Sequence, residues 1–322
     1  MLTFVIPVYN EVESLQALHQ EICEVSAANQ YEMELILIDD GSKDGSWDEI
    51  KRLAAADPRV RGIRFRRNFG KAAALSAGFE AAQGDYVFTL DADLQDDPHE
   101  IPRFLAEMDK GFDVVSGWKQ VRHDPWHKVG PSRVFNWLVG QLTGVKLHDH
   151  NCGFKCYRRE VLEEVRIYGE LHRFIPVLAA SKGWGVSEVI VNHRARQFGR
   201  SKYGVSRIIK GFLDLLTVYF LTGFKERPQH LLGTLGILSF FLGGLGLTYL
   251  AVYWVVKELV PGWQLEDLHN RPAVIYSMGL LLLGAQLISM GFLAELITAY
   301  YGKNVMQYSV KERIGPRATD KT

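Results

Sequence analysis

As far as Gly204 the chain alternates short runs of β-favouring apolar residues with longer stretches whose apolar positions recur every three or four residues. That alternation predicts an α/β domain: a mostly parallel sheet covered by helices. The runs place strands over Thr3 to Val8, Glu34 to Ile38, Gly62 to Phe65, Tyr86 to Leu90, Asp113 to Ser116 and Ser187 to Val191. Between them the helical period predicts helices over Glu13 to Ala27, Trp47 to Ala56, Lys71 to Ala82, Pro98 to Lys110 and Pro131 to Leu142.

Further on the pattern changes. Leu231 to Val256 and Ala273 to Ile297 are almost continuously apolar, and each exceeds the roughly 20 residues a helix needs to cross about 30 Å of hydrocarbon. Both are expected to span a membrane. Lys225 and Arg227 precede the first run, and Lys303, Lys311, Arg313, Arg317 and Lys321 follow the second, whereas the connecting loop balances Lys257 and Arg271 against Glu258, Glu266 and Asp267. This bias predicts a multi-pass protein of the cytoplasmic membrane with both termini and the α/β domain on the cytoplasmic side. Before the first run, Ile208, Ile209, Phe212, Leu215, Leu216, Tyr219 and Phe220 share one helical face, and Arg207, Lys210, Asp214 and Thr217 the other. Such a helix either lies in the bilayer interface or packs on the α/β core. The expected organisation is therefore an α/β domain (1–204), an interfacial segment (205–230), two spans (231–256 and 273–297) and a basic tail (298–322).

Composition narrows the classes. Thirty-seven basic residues balance 37 acidic ones, so no overall field favours nucleic acid. Three cysteines, Cys23, Cys152 and Cys156, are too few for a disulfide framework and fit a reducing compartment. The Met1 end lacks the basic and apolar regions of a signal peptide.

In an open parallel sheet, ligands bind beyond the carboxyl ends of the strands. Three polar groups stand there: Tyr9-Asn10-Glu11, Asp39-Asp40-Gly41-Ser42, and the acidic loop Asp91-Ala92-Asp93-Leu94-Gln95-Asp96-Asp97-Pro98. Singly, each also reads as a cap, a tight turn or a helix start. Jointly, they outline one site. Two carboxylates and an amide oxygen within five residues present hard oxygen ligands to Mg²⁺ or Mn²⁺. A cation there compensates the charge of a departing diphosphate, which fits sugar transfer from a nucleotide-sugar. His148-Asp149-His150, near Cys152 and Cys156, lacks a standard zinc spacing and reads as a surface or acceptor-side loop.

Pro7-Val8-Tyr9-Asn10-Glu11, Asp39-Asp40-Gly41-Ser42, Arg67-Asn68-Phe69-Gly70-Lys71, Asp91-Ala92-Asp93-Leu94-Gln95 and Gly199-Arg200-Ser201-Lys202-Tyr203 occur in an order that resembles family 2 inverting glycosyltransferases of the polyprenyl-phosphate type. The resemblance covers roughly residues 1–230 and implies a GT-A, Rossmann-like fold, a divalent cation, a nucleotide-sugar donor (uridine or guanosine) and a lipid-phosphate acceptor. It further implies that Pro7, Tyr9, Glu11, Ile38 and Asp40 hold the nucleoside, that Asp91 and Ala92 line the diphosphate, and that Asp93 and Gln95 ligate the metal. Lys119 stands where many relatives carry arginine, keeping the charge but losing the bidentate fork. The resemblance leaves the sugar open, and it allows a homo-oligomer, tetramers included, with Gly243, Gly244 and Gly246 permitting close helix packing.

A lipid phosphate monoester, with a second pKa of about 6, is largely dianionic at neutral pH and needs no general base. It needs cations to hold it against an anionic donor. Lys128, Arg133, Arg194, Arg196, Arg200, Ser201 and Lys202 are the candidates, with Arg196 and Lys202 nearest the chemistry; their plainer reading is a basic face attracting anionic lipid. A processive polysaccharide synthase would carry a Gln-x-x-Arg-Trp motif and more spans, neither of which is visible. A membrane scaffold or lipid-translocation subunit would have no use for the acidic loop.

Overall fold

The computed structural model describes residues 1–120, 126–165, 171–194, 206–223, 228–259 and 271–301. They form two compact units, one within Met1–Thr222 and one beginning at Gly223.

The first unit is built on a seven-stranded sheet of β1 (Leu2–Val8), β2 (Met33–Asp39), β3 (Val60–Arg64), β4 (Tyr86–Thr89), β5 (Val114–Trp118), β6 (Lys155–Arg158) and β7 (Val186–Ile190). Their order is β3-β2-β1-β4-β6-β5-β7. Six strands run in one direction; β6 is inserted antiparallel between β4 and β5. This strand corrects the sequence-based expectation, which left residues 155–158 without an element. Its four residues include Lys155 and Arg158, and buried lysine is not a strand signal.

Helices α1 (Val12–Ala28), α2 (Ser46–Ala56), α3 (Lys71–Ala81), α4 (Ile101–Met108), α5 (Trp126–Thr143), α6 (Arg159–Glu164) and α7 (Ile175–Ser181) surround the sheet. Pro98–Glu100 forms a 3₁₀ turn ahead of α4, splitting the helix expected from Pro98. The main core packs Phe4, Ile6, Leu15, Leu18, Phe88, Phe104 and Phe154, all 1% exposed or less. On the opposite face α3 approaches so closely that a Cβ at Gly78 would lie 2.2 Å from Val5 and 3.0 Å from Ile38.

The amphipathic segment forms α8 (Ser206–Gly223). One face is core: Leu215 and Val218 are buried with Val139, Leu171, Phe174 and Val177. Another is open, with Phe212, Leu213 and Leu216 about half exposed, and α5 likewise exposes Val134 and Trp137. The helix thus packs on the α/β unit and presents apolar surface outward.

The second unit contains α9 (Pro228–Leu259) and α10 (Pro272–Tyr301), both long and apolar enough to cross a membrane. Only 17% and 11% of their most apolar stretches are buried, so they are not core helices of a soluble fold. They meet along glycines spaced by seven, Gly236 and Gly243 on α9 and Gly284 and Gly291 on α10: a Cβ at Gly243 would lie 2.5 Å from the Leu281 nitrogen, and one at Gly284 2.5 Å from the Phe240 nitrogen. Seven-residue spacing of contact positions is the signature of left-handed helix pairing. Gly246 also faces α10, at Ser277, so two of the three glycines expected to favour oligomer contacts are used inside the hairpin; Gly244 has open space around it.

Candidate active site

Because β1, β2, β4, β5 and β7 run the same way, their carboxyl ends share one rim, and the strand order reverses beside β1. Ligand crevices form at such switch points. Three loops are tied together there. The Asn10 N–H donates to Ser42 Oγ at 2.9 Å, and the Lys43 N–H donates to Asn10 Oδ1 at 2.8 Å. Asp40 accepts from the Phe69 and Gly70 N–H groups at 2.6 and 2.9 Å. Burial raises the Asp40 pKa, opposed by these two donors. Gly41 has φ of +75°, and a Cβ there would lie 2.6 Å from the Arg67 carbonyl carbon. The close approach of loops 40–42 and 67–70 therefore requires glycine.

The clamp on Gly70 aims Lys71, the first residue of α3, at the acidic loop, where its ammonium pairs with Asp91 Oδ1. Burial disfavours the Asp91 carboxylate, but Lys71 outweighs it and the pKa falls to about 2. Gly153 touches the other side: a Cβ there would lie 2.7 Å from Asp91 Oδ2. Beyond it, Lys119 Nζ lies 2.7 Å from Asp96 Oδ1. Asp93 is buried, Ala92 and Leu94 with it, and the Gln95 N–H donates to Asp93 Oδ1 at 3.3 Å. Leu94 has φ of +59°, a left-handed conformation that is strained for a branched, bulky residue.

Lys155, at the start of the antiparallel strand, is fully enclosed and donates to the His150 carbonyl at 3.1 Å. Burial lowers its pKa to about 8, in the electrostatic company of Cys152, Lys71, Asp149 and Asp91. Burial also holds the Cys152 thiol protonated, pushing it up to about 12, and holds His150 neutral, down at about 4. The Cys152 thiol near the rim is thus no thiolate donor, whereas Asp91 in the acidic loop is held ionised. The carboxylate of Asp93 and the amide oxygen of Gln95 are hard donors that fit Mg²⁺ or Mn²⁺, not a thiolate metal site.

The structure brings Tyr9, Glu11, Asp40, Asp91, Ala92, Asp93, Gln95 and Lys119 to this rim. Pro7 and Ile38 are register partners on β1 and β2, but the Ile38 side chain is core, packed with Val5, Ala74 and Leu75, so its main chain alone faces the loops. Arg133 is exposed on α5. Lys128 lies on α5 with its side chain outside the described residues, as are Arg196, Arg200, Ser201 and Lys202 entirely. Arg194, expected on the acceptor side, has its guanidinium bound by Glu21 and Asp97. His148 pairs with Glu188 and stacks on Trp118, and forms no metal cluster with Cys152 or Cys156 among the described residues. The sequence reading missed Lys155, Gly153, Asp96 and buried Asp149 as site residues, and gave the Lys71 side chain no role. Their common signal is assembly in space around Asp91 and Lys155, which no local motif carries.

The sequence matches the description "Glycosyl transferase family 2" over residues 3–166. It is also 37% identical over 305 residues, 93% of this chain and 88% of the relative, to dodecaprenyl-phosphate galacturonate synthase of Rhizobium johnstonii. The chain belongs to glycosyl transferase family 2. Undecaprenyl-phosphate 4-deoxy-4-formamido-L-arabinose transferase of Salmonella choleraesuis is 36% identical over 321 residues, 99% of this chain and 95% of the relative. Among solved structures, glucosyl-3-phosphoglycerate synthase of Mycobacterium tuberculosis, in complex with Mn²⁺, uridine diphosphate and phosphoglyceric acid, superposes with a TM-score of 0.55 at 18% identity. It covers 68% of this chain and 78% of its own, a likeness of fold that places the sheet in the GT-A class.

Proposed function

We propose that this glycosyltransferase moves one sugar from a nucleotide-sugar onto a polyprenyl phosphate, with inversion at the anomeric carbon, at the face of the membrane its hairpin spans. The observation that carries the reading is the Asp91–Asp93 loop, ringed by Lys71, Lys119 and Lys155, in a chain that also ends in two exposed apolar helices. The relatives' names, dodecaprenyl-phosphate and undecaprenyl-phosphate transferases, support the lipid acceptor. The Mn²⁺ and uridine diphosphate of the M. tuberculosis enzyme support the donor side.

In this reading Tyr9, Glu11, Asp40 and the main chain at Pro7 and Ile38 hold the nucleoside, and Asp91 and Ala92 line the diphosphate. Asp93 and Gln95 hold Mg²⁺ or Mn²⁺, whose charge compensates the leaving nucleoside diphosphate. Lys71 keeps Asp91 ionised and oriented. A dianionic acceptor oxygen attacks the anomeric carbon while the bond to the diphosphate breaks on the opposite side, so no base is required. Lys128, Arg133, Arg196, Arg200, Ser201 and Lys202 supply the positive charge that holds the acceptor. The open faces of α8 and α5, with Phe212, Leu213, Leu216 and Trp137, rest in the bilayer interface, and the flanking positive charge puts the catalytic unit and both termini on the cytoplasmic side.

The test incubates purified protein with Mg²⁺ or Mn²⁺, undecaprenyl phosphate and a panel of uridine- and guanosine-diphosphate sugars, then weighs the lipid product and determines its anomeric configuration. One sugar per lipid, inverted, is expected. A polymer, a retained configuration or no lipid product with any donor refutes the proposal.

A further inference from the structure

The strip Asn192–Arg194, just past β7, runs against the end of the acidic loop. The Arg194 N–H donates to the Gln95 carbonyl at 3.0 Å, and His193 forms an antiparallel bridge with Asp96. The Arg194 side chain then reaches across to a different element. One terminal nitrogen donates to both Glu21 oxygens on α1 at 2.9 and 2.8 Å, and the other to Asp97 Oδ1 at 2.6 Å. That Asp97 oxygen also accepts from the His99 N–H at 3.1 Å, starting the 3₁₀ turn. All three side chains are three-quarters buried or nearly so: Arg194 is 25%, Glu21 26% and Asp97 13% exposed.

We propose that Arg194 is a positioning residue of the metal site, a fork that fastens the acidic loop to α1 and thereby sets the metal-facing geometry of Asp93 and Gln95. Between the two ends of the loop lies Leu94, in a conformation a free chain rarely adopts, so the loop needs external ties to keep its shape. Its ties include Asp91 to Lys71 at its start, Asp96 to Lys119, and Arg194 to Gln95, Asp97 and Glu21 at its far end. A guanidinium suits this use: its two terminal nitrogens address separate carboxylates in a fixed plane, which an ammonium on a flexible stem does not reproduce. The fork also joins the metal loop to the helix that begins directly after Tyr9-Asn10-Glu11, linking the two halves of the donor site. Two carboxylates already hold this guanidinium, which argues against a lipid phosphate as its partner.

The inference rests on the metal reading above, and one titration separates the two. Full-length wild type, Arg194→Lys and Glu21→Gln in detergent are titrated with Mn²⁺ alone, free Mn²⁺ being read by electron paramagnetic resonance, with unfolding midpoints measured in parallel. Both variants are expected to bind Mn²⁺ roughly 10-fold more weakly, as for other residues that orient metal ligands, at near-unchanged unfolding midpoints. Glu21→Gln is decisive because it keeps Arg194: releasing a phosphate ligand from a competing carboxylate leaves metal affinity alone, whereas cutting one arm of an anchor weakens it. Affinities within about twofold of wild type in both variants overturn the proposal. So does a rise in acceptor KM for Arg194→Lys with Glu21→Gln unaffected. Absence of Mn²⁺ binding in the wild type removes the metal reading itself, and this inference with it.

Discussion

Lys119 Nζ stands 2.7 Å from Asp96 Oδ1, with side-chain exposures of 14% and 0%. The lysine is therefore first a counter-ion inside the acidic loop, and any meeting with a donor phosphate is shared with that carboxylate. Burial works against its charge, yet Asp96 prevails and holds its pKa well above the ordinary lysine value. Removing one partner of a buried pair strands the other. Lys119→Met is expected to destabilise the α/β unit by about 3–5 kcal/mol, and Lys119→Met with Asp96→Asn to recover much of that loss. Denaturant unfolding of the single and double variants checks it; equal stability of the two means the pair contributes nothing.

Gly153 against Asp91 offers a cleaner separation of activity from stability. The Cβ of Gly153→Ala would lie 2.7 Å from Asp91 Oδ2, and the carboxylate is the part free to move. A displacement of this kind lowers turnover on the order of 100-fold, with a small change in unfolding midpoint. An alanine enzyme that turns over at the wild-type rate contradicts the contact.

Chelation and Asp93→Asn probe the same loop from the metal side. Excess EDTA is expected to stop sugar transfer and added Mn²⁺ to restore it, while Asp93→Asn lowers turnover by about 100-fold or more at saturating metal. Full activity after dialysis against chelator removes the cation from the reaction.

Lys155 makes stability depend on alkaline pH. Its pKa is about 8 in the fold against 10.5 for the ordinary side chain. Between those values the unfolded chain binds a proton that the folded chain does not, so this residue's contribution to stability rises with pH across that window. Below about 8 both states are protonated and the penalty is constant. From pH 7 to 10.5, wild type should gain on the order of 3 kcal/mol relative to Lys155→Met. Unfolding of the two proteins at both ends of the range reads it, and a parallel pH response in both overturns it.

In the hairpin, Gly284→Leu and Gly243→Leu drive a side chain into the facing backbone, whereas Gly244→Leu meets open space. Detergent-solubilised protein should lose resistance to SDS unfolding in the first two and keep it in the third. Equal behaviour of all three argues against the observed helix pairing.

The parts of this molecule that announced themselves in sequence are those governed by short-range rules. The apolar runs that became β1, β2 and β4 are buried nearly throughout, and a parallel strand must leave its polar follow-on residues at the sheet's rim, so Asp40 and Asp93 were legible as rim residues. The two apolar helices were legible from length alone. Residues 155–158 were not, because Lys155 sits inside the sheet against every expectation for a charged side chain. Nor was Gly153, whose purpose appears only where Asp91, 62 positions earlier, comes to rest against it. Arg194 looked like its basic neighbours at 196, 200 and 202. Its partners Glu21 and Asp97, both distant in sequence, carry no local signal.

The ties from Asn10 to Ser42 and from Asp40 to Gly70 have a bearing on how a donor is received. They are made with main-chain and side-chain partners of the protein's own, so the outline of this edge of the rim does not depend on a ligand. A ligand arriving there need not organise those turns, and the free energy of its contacts goes into affinity and placement. Loosening one of these ties, at Ser42 for instance, should therefore be felt as a slower or weaker capture of nucleotide rather than as a change in the bond-breaking step.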